Sequence, residues 1–179
     1  MPAELIIYGF VDHHEVRNVV PASWLRLLVT VSRAGPLKVP FATVGADGTL
    51  ERHPPEGYPK WPVDRLLASV AFLEDRYADF KTRRRAAQGR AVTEALLIEM
   101  QRLSAGHGAR LVVVLLSSVT TGTMEHYLEF LNEHKIATLD CSAHPTGLPY
   151  LVPGYGHPSK AVHDYWTGCI ARGLQKAGI

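Results

Sequence analysis

Near the end of the 179-residue chain, Gly156-His157-Pro158-Ser159-Lys160 leads into the amphipathic stretch Ala161-Val162-His163-Asp164-Tyr165-Trp166. Proline suits the first position of a helix, because its missing N–H would have no partner there. The spacing therefore predicts a helix opening at Pro158, with the His157 imidazole outside it and aimed into the preceding loop. Such a ring either caps the helix or is held there for chemistry, and the residues alone leave both readings open. Three other groups carry reactive side chains. Asp12-His13-His14-Glu15 has metal-ligand types, but neighbours on an extended loop point in different directions and no third ligand is evident, so no metal is expected. Ser117 and Ser118 close an apolar run and present hydroxyls at its tip. Cys141 follows a further run; it is either a buried structural cysteine or a thiol nucleophile partnered with His157. His163 is expected to pack on the closing helix and His144 to lie solvated in a Pro/Gly-rich loop.

The elements that must position these groups alternate in type. Leu5-Ile6-Ile7-Tyr8 is continuously apolar and ends at Gly9, the pattern of a strand buried in a parallel sheet. Residues 9–18 read as a polar loop at its C-terminal end, the edge where α/β sheets bind ligands. A helix begins at Pro21-Ala22-Ser23-Trp24, with Trp24, Leu27, Leu28 and Val31 as its apolar face, and closes at Gly35-Pro36. Residues 37–53 alternate around Asp47-Gly48 and predict a hairpin, followed by the proline-rich stretch 54–62, which is expected to pack over it. Residues 63–106 read as helical: Leu66, Leu67, Val70, Leu73 and Tyr77 form one buried face, and Val92, Leu96, Met100 and Leu103 another after a break at Gln88-Gly89. Residues 111–116 are the strongest strand in the chain. Thr123 caps the next helix, which buries Tyr127, Phe130 and Leu131, and residues 136–140 form a third strand. The last helix turns Val162, Tyr165, Trp166, Cys169, Ile170 and Leu174 inward. Strand–helix alternation implies α/β architecture with a parallel sheet, and the length implies a single domain, residues 1–179.

Bulk properties exclude several classes. A net charge of +2 gives no reason to expect nucleic acid, and Lys81-Thr82-Arg83-Arg84-Arg85 reads as a solvated helix face. No apolar run approaches the ~20 residues of a membrane span. Met1-Pro2-Ala3-Glu4 lacks the basic start of a signal peptide, and two cysteines give no disulfide framework, so the cytoplasm is the default compartment.

In this order, Tyr8-Gly9-Phe10-Val11-Asp12, the strand at 111–116, the strand at 136–140 and Gly156-His157-Pro158 resemble the C-terminal portion of an SGNH/GDSL hydrolase. The resemblance implies a three-layer α/β/α, flavodoxin-like core, incomplete at its N-terminus, with a hairpin and long helices inserted at about 35–89. It implies a serine ester hydrolase, an esterase, lipase or carbohydrate acyl-esterase, acting on a small-molecule or carbohydrate ester without a cofactor. His157 matches the family's general base. Gly9, with Phe10 and Asp12, matches its Gly-x-Asn-Asp loop after the strand, where N–H groups hold the oxyanion. The sequence departs from the family at three places: no Gly-Asp-Ser occurs, Val11 replaces the oxyanion Asn, and Tyr155 and Gly154 stand where the orienting Asp belongs. Asn18, or a backbone N–H near Phe10, is the expected replacement donor. Ser117 and Ser118 lie on the wrong strand for the family nucleophile. Were the chain to start at Met1, the strand at 5–8 would be a bare edge, so upstream residues bearing the serine, or a second copy of the chain, are expected along it. The competing reading is a catalytically inactive relative that binds a ligand or a partner.

Overall fold

A computed structural model of the protein describes residues 4–31, 37–64, 66–116, 122–143, 150–153 and 157–178. In chain order the elements are β1 (Leu5–Phe10), α1 (His14–Val19), α2 (Ala22–Val31), β2 (Lys38–Val44), β3 (Leu50–Gly57), α3 (Ala68–Ala86), α4 (Gly89–Gly106), β4 (Arg110–Leu115), α5 (Gly122–Glu133), β5 (Ala137–Asp140) and α6 (Lys160–Lys176). The chain is α/β, with a short parallel sheet and a separate hairpin. It divides into two compact units, one of Met1–Asp12 with Ile98–Ile179 and one of His13–Leu97.

The first unit is built on a three-stranded sheet in the order β1-β4-β5. Its pairs are parallel and in simple register, Leu5 against Arg110 and Val112 against Ala137. The five apolar residues of β4 after Arg110 are all buried, because helices cover both faces of a parallel sheet. Side chains alternate across it. Val112 and Val114 turn to one face and pack with Leu5, Leu139, Val162, Trp166 and Ile170, so α6 lies there. Phe10 and Leu115 share the opposite face, where the buried Phe10 ring sits 4.5 Å from Tyr127 of α5. The layering is therefore α/β/α. The reading that the two cysteines give no disulfide framework is overturned: Cys141, just after β5, is disulfide-bonded to Cys169 of α6, with Cα atoms 5.9 Å apart. Helical spacing places Cys169 on the inner face of α6, but spacing cannot say which residue that face meets.

The second unit corrects several expectations. Residues 14–19 are helix α1, not loop; it ends where Val20 takes φ 47° and its N–H bonds to Val16 O at 3.0 Å. On α2 the buried residues are Ala22 and Leu25, while Leu27 is exposed. The hairpin forms as its Asp47-Gly48 turn implies, with Gly48 at φ 81°. β3 nevertheless runs on through Pro54 and Pro55, which a two-stranded sheet tolerates because both strands are edges. Residues 54–57 are thus part of the hairpin rather than a cover over it, and beyond them Tyr58 is buried in a cluster with Val20, Leu25 and Ala78, against which Val39 and Phe41 also pack. The larger correction concerns α3. Its buried residues are Glu74, Ala78, Thr82 and Arg85, whereas Leu66, Leu67, Leu73 and Tyr77 are exposed. The inward polar groups are satisfied: Glu74 accepts from Trp61 N–H, Thr82 Oγ1 accepts from Ala22 N–H at 2.9 Å, and Arg85 donates Nε and Nη2 to Val20 O at 3.1 and 2.7 Å. The basic run is therefore not a purely solvated face.

Candidate functional site

In a parallel sheet the strands deliver their C-terminal ends to one edge. In the first unit that edge holds Val11 and Asp12 after β1, Leu116 after β4, and Cys141 and Ser142 after β5. Helix α6 follows β5, and its first turns reach the same region, since Val162 and Trp166 pack with Cys141, Leu116 and Tyr150. Ser159 is the N-cap: its Oγ accepts from Val162 N–H, so the helix begins at Lys160. Pro158 thus stands one residue before the cap rather than in the first turn, because a serine side chain satisfies an end N–H that proline cannot.

His157 is clamped through its backbone. Val152 N–H donates to His157 O at 2.8 Å and Ser159 N–H to Tyr150 O at 2.6 Å, around an antiparallel bridge between Leu151 and Pro158. Tyr150 in turn packs edge-on to Trp166, with centroids 6.4 Å apart. The imidazole itself is exposed.

The other sequence-derived candidates are distributed less favourably. Gly9 and Phe10 are the last two residues of β1 rather than loop residues. A Cβ on Gly9 would stand 2.9 Å from Leu116 Cδ1, a packing reason for glycine that the sequence does not display. Phe10 is core, and its carbonyl accepts from Leu116 N–H at 2.8 Å. Asp12 is exposed in the turn beyond. Asn18 belongs to the second unit, on α1, and its Nδ2 donates to Thr93 Oγ1 at 2.9 Å, so the expected replacement donor is engaged with α4. Cys141 is not a thiol nucleophile, because its sulfur is in the disulfide. Ser117, Ser118, His144, Gly154, Tyr155 and Gly156 lie outside the described residues.

His13 precedes α1 and His14 begins it, their rings 5.7 Å apart and edge-on, while Glu15 reaches Arg90 at 3.5 Å. Among the described residues no three His, Cys, Asp or Glu side chains gather as metal ligands. Reading the sequence for chemistry missed Ser142. It is buried, and both its Oγ–H and its N–H donate to Asp140 Oδ1, at 2.5 and 2.9 Å, a local turn signalled by the Asp-x-Ser spacing.

Two polar networks in the second unit carry most of its perturbed groups. Burial, aided by the hydrogen bond to Asp75, pushes the Tyr58 phenol up to about 12. The same hydrogen bond, with Arg26 at 2.9 Å, holds the Asp75 carboxyl below its ordinary range. Burial pushes the Glu56 carboxyl up, but Lys81 and Arg85, each at 2.7 Å, more than reverse this and hold it low. A recess of about 490 Å³ lies beside this pair, lined by Phe41, Thr43, Glu51, Lys81, Arg84 and Gln88 among others. Two of its cations, Lys81 and Arg85, are engaged with Glu56.

Compared with family models, with curated proteins and with solved structures, the chain matches none.

Proposed function

We propose that this chain carries the base-bearing part of an SGNH/GDSL-type ester hydrolase. The observation that carries the reading is His157: an exposed imidazole on a clamped backbone, just ahead of α6, the helix that follows β5 of the parallel sheet. The β1-β4-β5 order supports it, because β1 is an outer strand with Ile7 exposed, and in the family the serine-bearing strand lies against its counterpart.

On this reading the serine comes from a segment along β1 that these residues do not supply. Its Oγ attacks the ester carbonyl carbon while His157 takes the hydroxyl proton. The tetrahedral oxyanion collapses, the C–O bond to the alcohol breaks, and the imidazolium returns the proton to the departing oxygen. Water then repeats the sequence on the acyl-enzyme. Backbone N–H groups after β1 are the donors for the oxyanion. Val11 offers no side-chain donor, a loss of about 3 kcal/mol in comparable sites, so a modest catalyst is expected. The substrate class is a small-molecule or carbohydrate ester. The Cys141–Cys169 bond favours an oxidising compartment over the cytoplasm. The engagement of Asn18 with Thr93 favours the second reading, a catalytically inactive relative that binds a ligand or a partner.

Hydrolysis of p-nitrophenyl acetate separates the two. The 179 residues alone are expected to give a near-background rate. The gene product as translated, with whatever residues precede Met1, is expected to hydrolyse the ester, and His157→Ala to lower that rate by about 10²–10⁴-fold. A whole gene product without His157-dependent hydrolysis leaves the binding reading.

A further inference from the structure

We infer that the recess beside Cys169 docks a small anionic thiol, which opens the Cys141–Cys169 bond by attack on the Cys169 sulfur. This rests on the first unit alone and is independent of the hydrolase reading. The two sulfurs of the bond stand in unlike surroundings. Cys141 is 0 % exposed, in a cluster with Val112, Val114, Val162 and Trp166. Cys169 is partly exposed, and its Sγ lies 3.6 Å from Asp140 O at the end of β5.

A recess of about 250 Å³ opens at that point, lined by Leu139, Asp140, Cys169, Arg172, Gly173 and Lys176 among others. It is smaller than the ~300–1,000 Å³ of a drug-sized site, so its occupant is small. Helix α6 is set tightly against β5 beside it, since a Cβ on Gly173 would stand 2.7 Å from Leu139 Cδ2. The helix is thus held to the strand by packing as well as by the bond, and opening the bond does not by itself release it.

The charge of the recess selects the occupant. Arg172 and Lys176 follow Cys169 by three and seven residues, so α6 carries all three on one face. Both cations are exposed, and neither pairs with an acid among the described residues. The acid in the lining, Asp140, has its Oδ1 engaged by Ser142 N–H and Oγ–H. Two unpaired cations beside one engaged carboxylate fit a solute that bears a negative charge besides its thiolate.

The exchange balances with the thiol as its only reagent. The thiolate sulfur bonds to Cys169 Sγ, the Cys141–Cys169 bond breaks, and its electron pair leaves on the Cys141 sulfur, which takes a proton from water. A second thiolate attacks the external sulfur of the mixed disulfide, releasing the external disulfide. Cys169 is left as a thiolate beside Arg172 and Lys176, cations that stabilise it. Leaving-group strength alone would favour the reverse choice, attack on Cys141 with the cation-flanked Cys169 departing. Access decides against it, because no surface of Cys141 is exposed.

Opening of the bond in the folded 179-residue chain by three thiols tests this. Mercaptoethanesulfonate, mercaptoethanol and cysteamine carry an anionic, a neutral and a cationic second group. Rates are compared per thiolate and corrected for thiol basicity, with acid quenching and mass spectrometry of the peptides. At about 10 mM salt the sulfonate is expected to react at least about tenfold faster than cysteamine, and the gap to close at about 0.5 M. The first adduct is expected on Cys169, with Cys141 as the free thiol. Arg172→Gln with Lys176→Gln, both at exposed positions, is expected to level the series with an unchanged circular dichroism spectrum. A bond that opens only in denaturant, an adduct on Cys141, rates indifferent to thiol charge, or a series that survives the double variant each overturns the inference.

Discussion

Replacing Arg85 by methionine tests how the second unit holds its inverted helix. The guanidinium side chain is 8 % exposed and does three things at once. It donates twice to Val20 O, closing the end of α1; it pairs with Glu56 Oε2 at 2.7 Å; and it stacks over Phe41, 4.0 Å from the ring centroid. Methionine keeps most of the volume and removes every polar contact. Breaking a buried charge pair costs about 3–5 kcal/mol because the survivor is stranded. Here Glu56 keeps Lys81 at 2.7 Å, so the low end applies, about 3 kcal/mol. With a urea slope of about 1–3 kcal/mol per molar, the midpoint falls by roughly 1–3 M. Unfolding followed by Trp24 and Trp61 fluorescence, both within this unit, is the assay. Arg85→Lys keeps the charge without the planar fork and should recover only part of the loss. Glu56→Gln combined with Arg85→Met should cost at least 1 kcal/mol less than the two singles summed, because neither charge is then left alone. The pH dependence has a definite sign. The Glu56 carboxyl is held below its ordinary 4.5, so its contribution is present above that pH and is lost as pH falls through the lowered value. In Arg85→Met this acid-side loss should shrink. A variant within about 1 kcal/mol of the parent would refute the view that this network anchors α3.

Three further outcomes follow from particular contacts. Tyr58 ionises at about 12 in the folded unit against 10.0 when free, so stability tied to its neutral form is expected to decline as pH rises from 10.0 through about 12; phenolate absorbance checks this, and Tyr58→Phe should abolish that limb. Cys141 and Cys169 should resist alkylation until reductant is added, and the double serine variant should lose about 3–4 kcal/mol, as expected for a cross-link across a separation of 28 residues; free thiols in the untreated protein would contradict the pairing. Gly173→Ala places a methyl 2.7 Å from Leu139 Cδ2 and should cost about 1–3 kcal/mol of thermal stability, read by calorimetry; a neutral result would mean that β5 and α6 pack more loosely than described.

What was legible in the sequence is what depends on local pattern. Five consecutive apolar residues made β4 readable, because only a strand covered on both faces tolerates them. Asp47-Gly48 marked the hairpin, because the turn needs a positive φ. Helix α3 was legible as a helix but not as to which face turns inward. Periodicity finds an apolar stripe, while the inward choice depends on distant partners, here Val20 O, Ala22 N–H and Trp61 N–H. The Cys141–Cys169 bond was hidden for a related reason, since β5 and α6 meet only in three dimensions. At the candidate site the His-Pro step announced a ring ahead of a helix. The clamp from Tyr150 and Val152 did not show, because it is made of backbone groups that every residue possesses. Asn18 was misplaced because a short helix of mixed residues, His14–Val19, has too few turns to reveal a period.

The central claim is that His157 activates a hydroxyl lying along β1 and not one of this chain's own. Its most direct test is covalent capture: the gene product as translated is treated with a fluorophosphonate, and the adduct is located by mass spectrometry of its peptides. The expected result is one phosphonylated serine outside the 179 residues, with labelling slowed at least a hundredfold by His157→Ala. An adduct on Ser117, Ser118 or Ser142, or labelling indifferent to His157→Ala, would contradict it.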